Sequence, residues 1–315
     1  MGRLDKRRLR AIHRLLAAKL DDLSQGKAVA QELRRRRRTT WRRNRRKSDA
    51  FFLEILAHTI YSAHLRARLV ESRWDGLTEA LARFDVKKVA TLSPAAQKRL
   101  LADERMIRNR RKLLALIENA REIERIAERY GSFADYLNLF PHRAIEIPVD
   151  DLVRRFRYLG HLLAYGFLAE CGFDCMRPDV HLTRMLYRLG FVDSPNPSPA
   201  IAQQIQTIGS AMSDVVGERL YALDAMFWIY GGGGDGRIAH AVCRAVNPLC
   251  GECELKSIYR PGETSCEVRA AARVPKPRQL TLALRRPAKG RRRKRAGKPG
   301  RGRRSPNAER RTTKG

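Results

Sequence analysis

The sequence predicts an all-helical core held between two arginine-rich flanks, and three observations predict it. Apolar residues recur at helical spacing in one segment after another from about residue 50 to 229. No strand-period alternation of any length and no internal repeat interrupts them. Most of the formal net charge of +32, in a chain of 315 residues with pI near 11.0, is pooled outside that middle. Because 43% of the residues are hydrophobic, the chain can bury a core, which excludes a purely disordered basic tail. Four segments follow: a basic helical, arginine-rich arm over 1–48, a helical core over 49–240, a cysteine-rich loop over 241–273 and a disordered basic tail over 274–315.

Residues 1–33 read as one or two basic amphipathic helices, with Leu4, Leu9, Ile12, Leu15, Leu16 and Leu20 at helical spacing, and a polyarginine run carrying Trp41 follows. This stretch is expected to be an arm and not part of the core. From Asp49 the composition changes, and helices are expected over 50–70, 74–83, 94–102 and 109–129. The last presents Leu113, Leu116, Ile117, Ala120, Ile123 and Ala127 on one face and stops at Gly131. A loop carrying Pro141 and Pro148 leads to an apolar block, 151–171, interrupted at Gly160. Pro178 precedes a short helix, 180–189, ended by Gly190; a proline-rich loop, FVDSPNPSPA, and two more helices, 198–216 and 218–229, bring the chain to the glycine run 231–234.

The charge identifies the partner class. Ten of the fourteen residues in 34–47 are Lys or Arg with no acid, and 285–315 holds fifteen Lys or Arg against the single acid Glu309. Such blocks repel themselves, stay solvated and bind phosphate backbones by releasing counterions. Nucleic acid is therefore the expected partner, with an acidic lipid surface as the competitor. No stretch has the length of a membrane span or the pattern of a signal peptide, so a location inside the cell, cytoplasmic or nucleoid-associated, is expected; a monomer is expected as well.

Three constellations could carry chemistry. In Arg154-Arg155-Phe156-Arg157-Tyr158-Leu159-Gly160-His161, a turn at glycine opens a helix whose free N–H groups can receive an anion; an ordinary helix-turn-helix corner reads the same way. In Arg177-Pro178-Asp179-Val180-His181-Leu182-Thr183-Arg184, Asp179 stands where an N-cap belongs. By residue type alone the capping role comes first, yet in a cleft the same carboxylate could stabilise an oxocarbenium-like sugar cation or orient a water. His181 reads as a packed helix residue. Cys243-x6-Cys250-x2-Cys253, with Cys266 downstream, suits either a tetrahedral zinc site or a cubane iron–sulfur cluster.

Together these segments resemble the helix-hairpin-helix DNA glycosylase superfamily, whose members carry a hairpin ending in glycine, an aspartate followed by a basic helix and, in many cases, an iron–sulfur cysteine loop. PDVHLTRMLYRLG and CRAVNPLCGEC carry the likeness. Upstream, ALARFDVKKVATLSPAAQKRLLADERMIRNRRKLLALIENAREIERIAERYGSFADYL and FRYLGHLLAYGFLAECG resemble the 3-methyladenine DNA glycosylase I branch, so the likeness covers about 50 to 266 and neither flank. It implies a two-lobed helical fold in which Asp179 is catalytic. Arg157, Tyr158, Leu159, Gly160 and His161 on the hairpin, with Arg184 beyond it, would contact DNA. Cys243, Cys250, Cys253 and Cys266 would hold a 4Fe-4S cluster, zinc being the alternative.

The chain departs from that pattern in four places. Thr59 stands where the branch has a base-contacting glutamate, so the branch's substrate does not carry over. Its zinc-binding cysteines and histidines are missing from their usual places. His161, Leu162 and Leu163 follow the hairpin glycine where bifunctional members have a lysine nucleophile, so no Schiff-base lyase step is expected. The fourth cluster cysteine would fall at Tyr259, and Cys266 is the next available. The reading is a monofunctional glycosylase that flips out a damaged or modified base and hydrolyses its N-glycosidic bond. A non-catalytic DNA-binding protein on the same scaffold is the alternative, and a base-modifying transferase acting on hypermodified viral DNA a more distant one.

Overall fold

The computed structural model describes residues 5–23, 27–65, 67–141, 144–232 and 241–258; Cys266, Tyr259 and the basic tail lie outside them. Among the described residues every regular element is helical, as the periodicity predicts. In chain order they are α1 (Lys6–Leu23), α2 (Lys27–Arg38), α3 (Trp41–Asn44), α4 (Asp49–Ser62), α5 (Ala67–Ala80), α6 (Val86–Ala90) and α7 (Pro94–Ala102). There follow α8 (Arg110–Tyr130), α9 (Phe133–Asn138), α10 (Glu146–Arg155), α11 (His161–Cys171), α12 (Val180–Arg188), α13 (Pro199–Val216) and α14 (Leu220–Gly231). Ser48, Ser93, Asn109, Ser132 and Ser198 each cap the helix that follows, accepting from a backbone N–H in its first turn.

Several helix boundaries differ from expectation, as where the helix expected over 74–83 runs Ala67–Ala80, and two differ for a local reason. The helix expected over 50–70 breaks at Ala63, because the buried Lys112 ammonium donates to the carbonyls of Tyr61 at 2.9 Å and Ala63 at 2.6 Å. Burial pulls the Lys112 ammonium down to about 8. Pro148, expected in a loop, stands in the first turn of α10, where a missing N–H costs no intrahelical bond.

The helices bury two apolar cores within one compact unit. The first gathers side chains of α3, α4, α8, α9 and α11, among them Phe52, Tyr61, Leu116, Ile123, Phe133 and Phe167. The second gathers α12, α13 and α14 with Leu9, Ile12, Leu16 and Leu20 of α1. This corrects the reading of 1–48 as an arm. An isolated amphipathic helix leaves its apolar stripe in water, and here that stripe is covered by α13 and α14. Trp41 is likewise a core residue, against Phe52 and Phe173, with its indole N–H donated to Asn138 at 3.1 Å.

Candidate functional site

The hairpin is formed by α10, the turn 156–160 and α11. Its geometry is set from α8. Asn119, fully buried, accepts from the Arg157 N–H at 2.6 Å and donates to the Arg157 carbonyl at 2.9 Å, so one side-chain amide closes both backbone groups at the turn. Tyr158 then takes φ +64°, a strained conformation for a bulky residue, and lies 5.7 Å from the Lys112 ammonium. Leu159 is buried and anchors the turn in the first core. Gly160 has an ordinary φ of −78°, and a Cβ placed there would meet nothing. The chain's own packing therefore does not demand glycine; what the glycine provides is open space beside the helix N-terminus. The N–H groups of residues 161–163 have no intrahelical acceptor at that position. His161 reaches Asp150 at 3.2 Å, and the exposed Arg157 pairs with Glu118 at 3.0 Å.

Asp179 caps α12 through one oxygen. Oδ1 accepts from the N–H groups of His181 and Leu182, each at 2.8 Å. Oδ2 takes no such bond among the described residues, and the side chain is half-buried. The capping role and an available carboxylate oxygen therefore coexist in one residue. His181 is packed as expected, its Nδ1 3.3 Å from the Gly231 carbonyl.

The backbone just before Asp179 is held by α13 and α14, which share the second core with α12. Gln206 of α13 clamps Met176, accepting from its N–H at 3.0 Å and donating to its carbonyl at 2.8 Å. Asp224 of α14, fully buried, accepts from the Arg177 N–H at 3.0 Å and from its Nε at 2.9 Å. The same carboxylate pairs with Arg36 of α2, itself buried, which also bonds Glu32 at 2.6 Å. Beside it Arg35 pairs with Glu170 at 2.7 Å, and Tyr221 donates to the same carboxylate. Burial alone would raise Glu170, but these partners hold it down at about 2. Asp224 was not singled out from the sequence, although a lone acid within the apolar run LYALDAMFWIY signals a buried charge that requires a cation. Asn119 lies in the segment from ALARFDVKK to SFADYL that carries the resemblance. Gln206 had no signal.

Arg184 is corrected. It is 7% exposed, and its guanidinium donates to the carbonyls of Gly231 at 2.6 Å and Cys243 at 3.1 Å. An arginine used this way ties α12 to the end of α14 and cannot reach DNA. Burial shifts its guanidinium downward from the usual range. Tyr61 is wholly core, and Trp74 stacks on Phe84 at 5.6 Å.

Of the cysteines, Cys243 and Cys253 are buried against the second core. The buried Arg188 donates to the Cys243 sulfur at 3.2 Å, and Tyr230 donates to that of Cys253 at 3.3 Å. Among the described residues no three His, Cys, Asp or Glu side chains gather around one ion position. A cubane binds one thiolate per iron, so its ligands stand farther apart than those of a single ion. A buried cation and a hydroxyl aimed at two sulfurs are the kind of donors that stabilise cluster thiolates. No described helix is long and apolar enough to cross a membrane.

Residues 31–152 match the family model of methyladenine glycosylase, bearing out the resemblance over 50–152, extending it into the N-terminal flank that it was not expected to reach, and supporting a glycosylase function. The span runs from α2 into α10, so Gly160, Asp179 and the cysteines lie beyond it. Among solved structures the chain is similar to a 3-methyladenine DNA glycosylase I (23% identity, 40% of this chain and 80% of that one, TM-score 0.36). It is also similar to the Staphylococcus aureus 3-methyladenine DNA glycosylase I (20%, 40% and 77%, 0.36) and to the Methanocaldococcus jannaschii 8-oxoguanine DNA glycosylase (20%, 70% and 96%, 0.47). No curated protein matches the chain.

Proposed function

We propose that this chain, whose residues 31–152 follow the methyladenine glycosylase pattern, is a monofunctional DNA glycosylase acting on a damaged or modified base. The observation that carries the reading is Asp179, with Oδ1 fixed on two helix N–H groups and Oδ2 left for a substrate. A carboxylate whose orientation is already set costs little reorganisation when positive charge develops on a sugar. In this mechanism a backbone phosphate sits on the open N-terminus of α11 beside Gly160, and the nucleotide is flipped out of the stack. As the glycosidic bond breaks, Asp179 stabilises the oxocarbenium-like cation and orients the attacking water. The hydroxyl goes to the sugar, the proton to the departing base, and an abasic site remains. His161, Leu162 and Leu163 offer no amine for a Schiff base, so the strand stays intact until alkali is added.

The test is mass spectrometry of bases released from DNAs bearing different modified bases, by wild type and by Asp179→Asn. The variant is expected to lose at least roughly 100-fold in rate, the scale of removing one electrostatic stabiliser. Equal rates would sink the role of Asp179.

One observation favours the non-catalytic alternative. Thr59, where the resemblance places a base-contacting glutamate, donates its hydroxyl to the Ile55 carbonyl of its own helix at 2.9 Å. Tight binding with no base released from any DNA in the panel would establish that alternative.

For the cysteine loop, Cys243, Cys250, Cys253 and Cys266 would hold a 4Fe-4S cluster that braces the loop and takes no part in hydrolysis. Anaerobically purified protein is then brown and contains iron and sulfide. A colourless protein with one zinc would refute this.

A further inference from the structure

The polyarginine run folds with two faces. Arg35, Arg36 and Arg37 turn to acids far away in sequence, namely Glu170, Asp224 and Glu218. Arg34 and Arg38 point elsewhere. With Arg43 and Lys47 from and just beyond α3, and with Gln31, Arg35, Thr39 and Asn44, they line a concave pocket of about 620 Å³. Arg34, Arg38 and Arg43 are exposed and make no ion pair among the described residues, while the Lys47 ammonium rests 5.5 Å from the Phe51 ring. Like charges four residues apart, as at Arg34 and Arg38, work against their own helix. Concave walls of one sign raise the local concentration of counter-charge. An anionic ligand relieves both effects.

The position of this pocket suggests which anion. The α2–α3 junction docks on the C-terminal end of α11, where the Trp41 N–H donates to the Gly172 carbonyl at 2.8 Å. Gly172 has φ +105°, and a Cβ there would lie 2.4 Å from the Thr40 carbonyl carbon, so only glycine permits the approach. The hairpin stands at the other end of the same helix. Its eleven residues span about 16 Å of axis, close to five phosphate steps on one strand.

We propose that the pocket lined by Arg34, Arg38, Arg43 and Lys47 is a second phosphate clamp, gripping the backbone of the same nucleic acid that the hairpin holds. The clamp rests on the DNA-binding part of the proposed function but not on base release. Its occupant is a run of backbone phosphates, so it contributes affinity without reading bases.

The test is binding of the full chain to undamaged duplex DNA at several salt concentrations, comparing wild type with the triple variant Arg34→Ala/Arg38→Ala/Arg43→Ala. A control triple, Lys87→Ala/Lys98→Ala/Arg99→Ala, removes equal charge from α6 and α7. The pocket variant is expected to melt like wild type and to reduce the slope of log affinity against log salt by roughly 2 to 3, the change expected when about three phosphates are no longer neutralised. Base release at saturating DNA should be unchanged. A slope no smaller than the control's would overturn the clamp, as would weakened binding to phosphatidylserine vesicles with DNA affinity intact. If the slope falls as expected but no protein releases any base, the catalytic reading fails and the clamp stands.

Discussion

The hairpin turn and the segment before Asp179 are both held by buried side chains reaching in from another helix, but by different chemistry. At the turn, the neutral amide of Asn119 closes one N–H and one carbonyl of Arg157. Before Asp179, the amide of Gln206 does the same for Met176, and a charged network, Arg36–Asp224–Arg177, is added. A neutral clamp holds its position at any pH and has a modest value. A charged one in a dry interior fixes its partners strongly and fails badly when one member is removed. The segment carrying the candidate catalytic carboxylate thus depends on α2, a helix from the far N-terminus.

The largest effect expected in breaking this contrast comes from Asp224→Ala. It leaves the buried Arg36 with Glu32 alone and takes from the partly buried Arg177 its carboxylate partner, so chemical denaturation should show a loss of about 3–5 kcal/mol, with base release falling further than the hairpin's DNA affinity. Acid is the next lever, acting on the carboxylates beside the Asp179 segment. Glu170 is held at about 2, below the ordinary carboxylate value of 4.5. Its contribution is therefore complete above about pH 4.5 and is lost as pH falls toward 2. Trp228, near Arg36 at 5.5 Å, should report this loss by fluorescence before Trp74 in the hairpin lobe responds. Asn119→Ala leaves the Arg157 N–H and carbonyl unsatisfied and should cost about 1–3 kcal/mol in denaturant melts, with DNA binding weakened and the Asp179 segment intact. The smallest effect is that of Arg157→Ala. Its pair with Glu118 is exposed on both sides, so stability should change by less than about 1 kcal/mol, while any loss appears in DNA affinity at low salt.

Much of the site was legible in the sequence because its signals are local. The apolar period located the long helices α8 and α13, and Asp179 before VHLTRMLYR marked the start of the short helix α12 that the structure has. Glycine before an apolar helix marked the hairpin. What did not transfer was the direction of individual side chains. Arg184 lies on a basic-looking helix and reads as a DNA contact, but only the packing of α14 places the Gly231 and Cys243 carbonyls beside it. The short helix α9 also went unread, since six residues are too few to show a period.

The sequence by itself determined that the chain is helical, that most of its charge is pooled in two flanks, and that a glycine turn and a capping aspartate stand nineteen residues apart. Periodicity, caps and composition act over a few residues, and a linear reading captures them. Only the tertiary structure decided which arginines of one run pair with acids inside the fold and which stay exposed. Arg35, Arg36 and Arg37 find acids 135, 188 and 181 residues away, whereas Arg34, Arg38 and Arg43 find none among the described residues. That partition follows from long-range packing, because a buried cation must meet its counter-charge and an exposed one is left to bind a ligand.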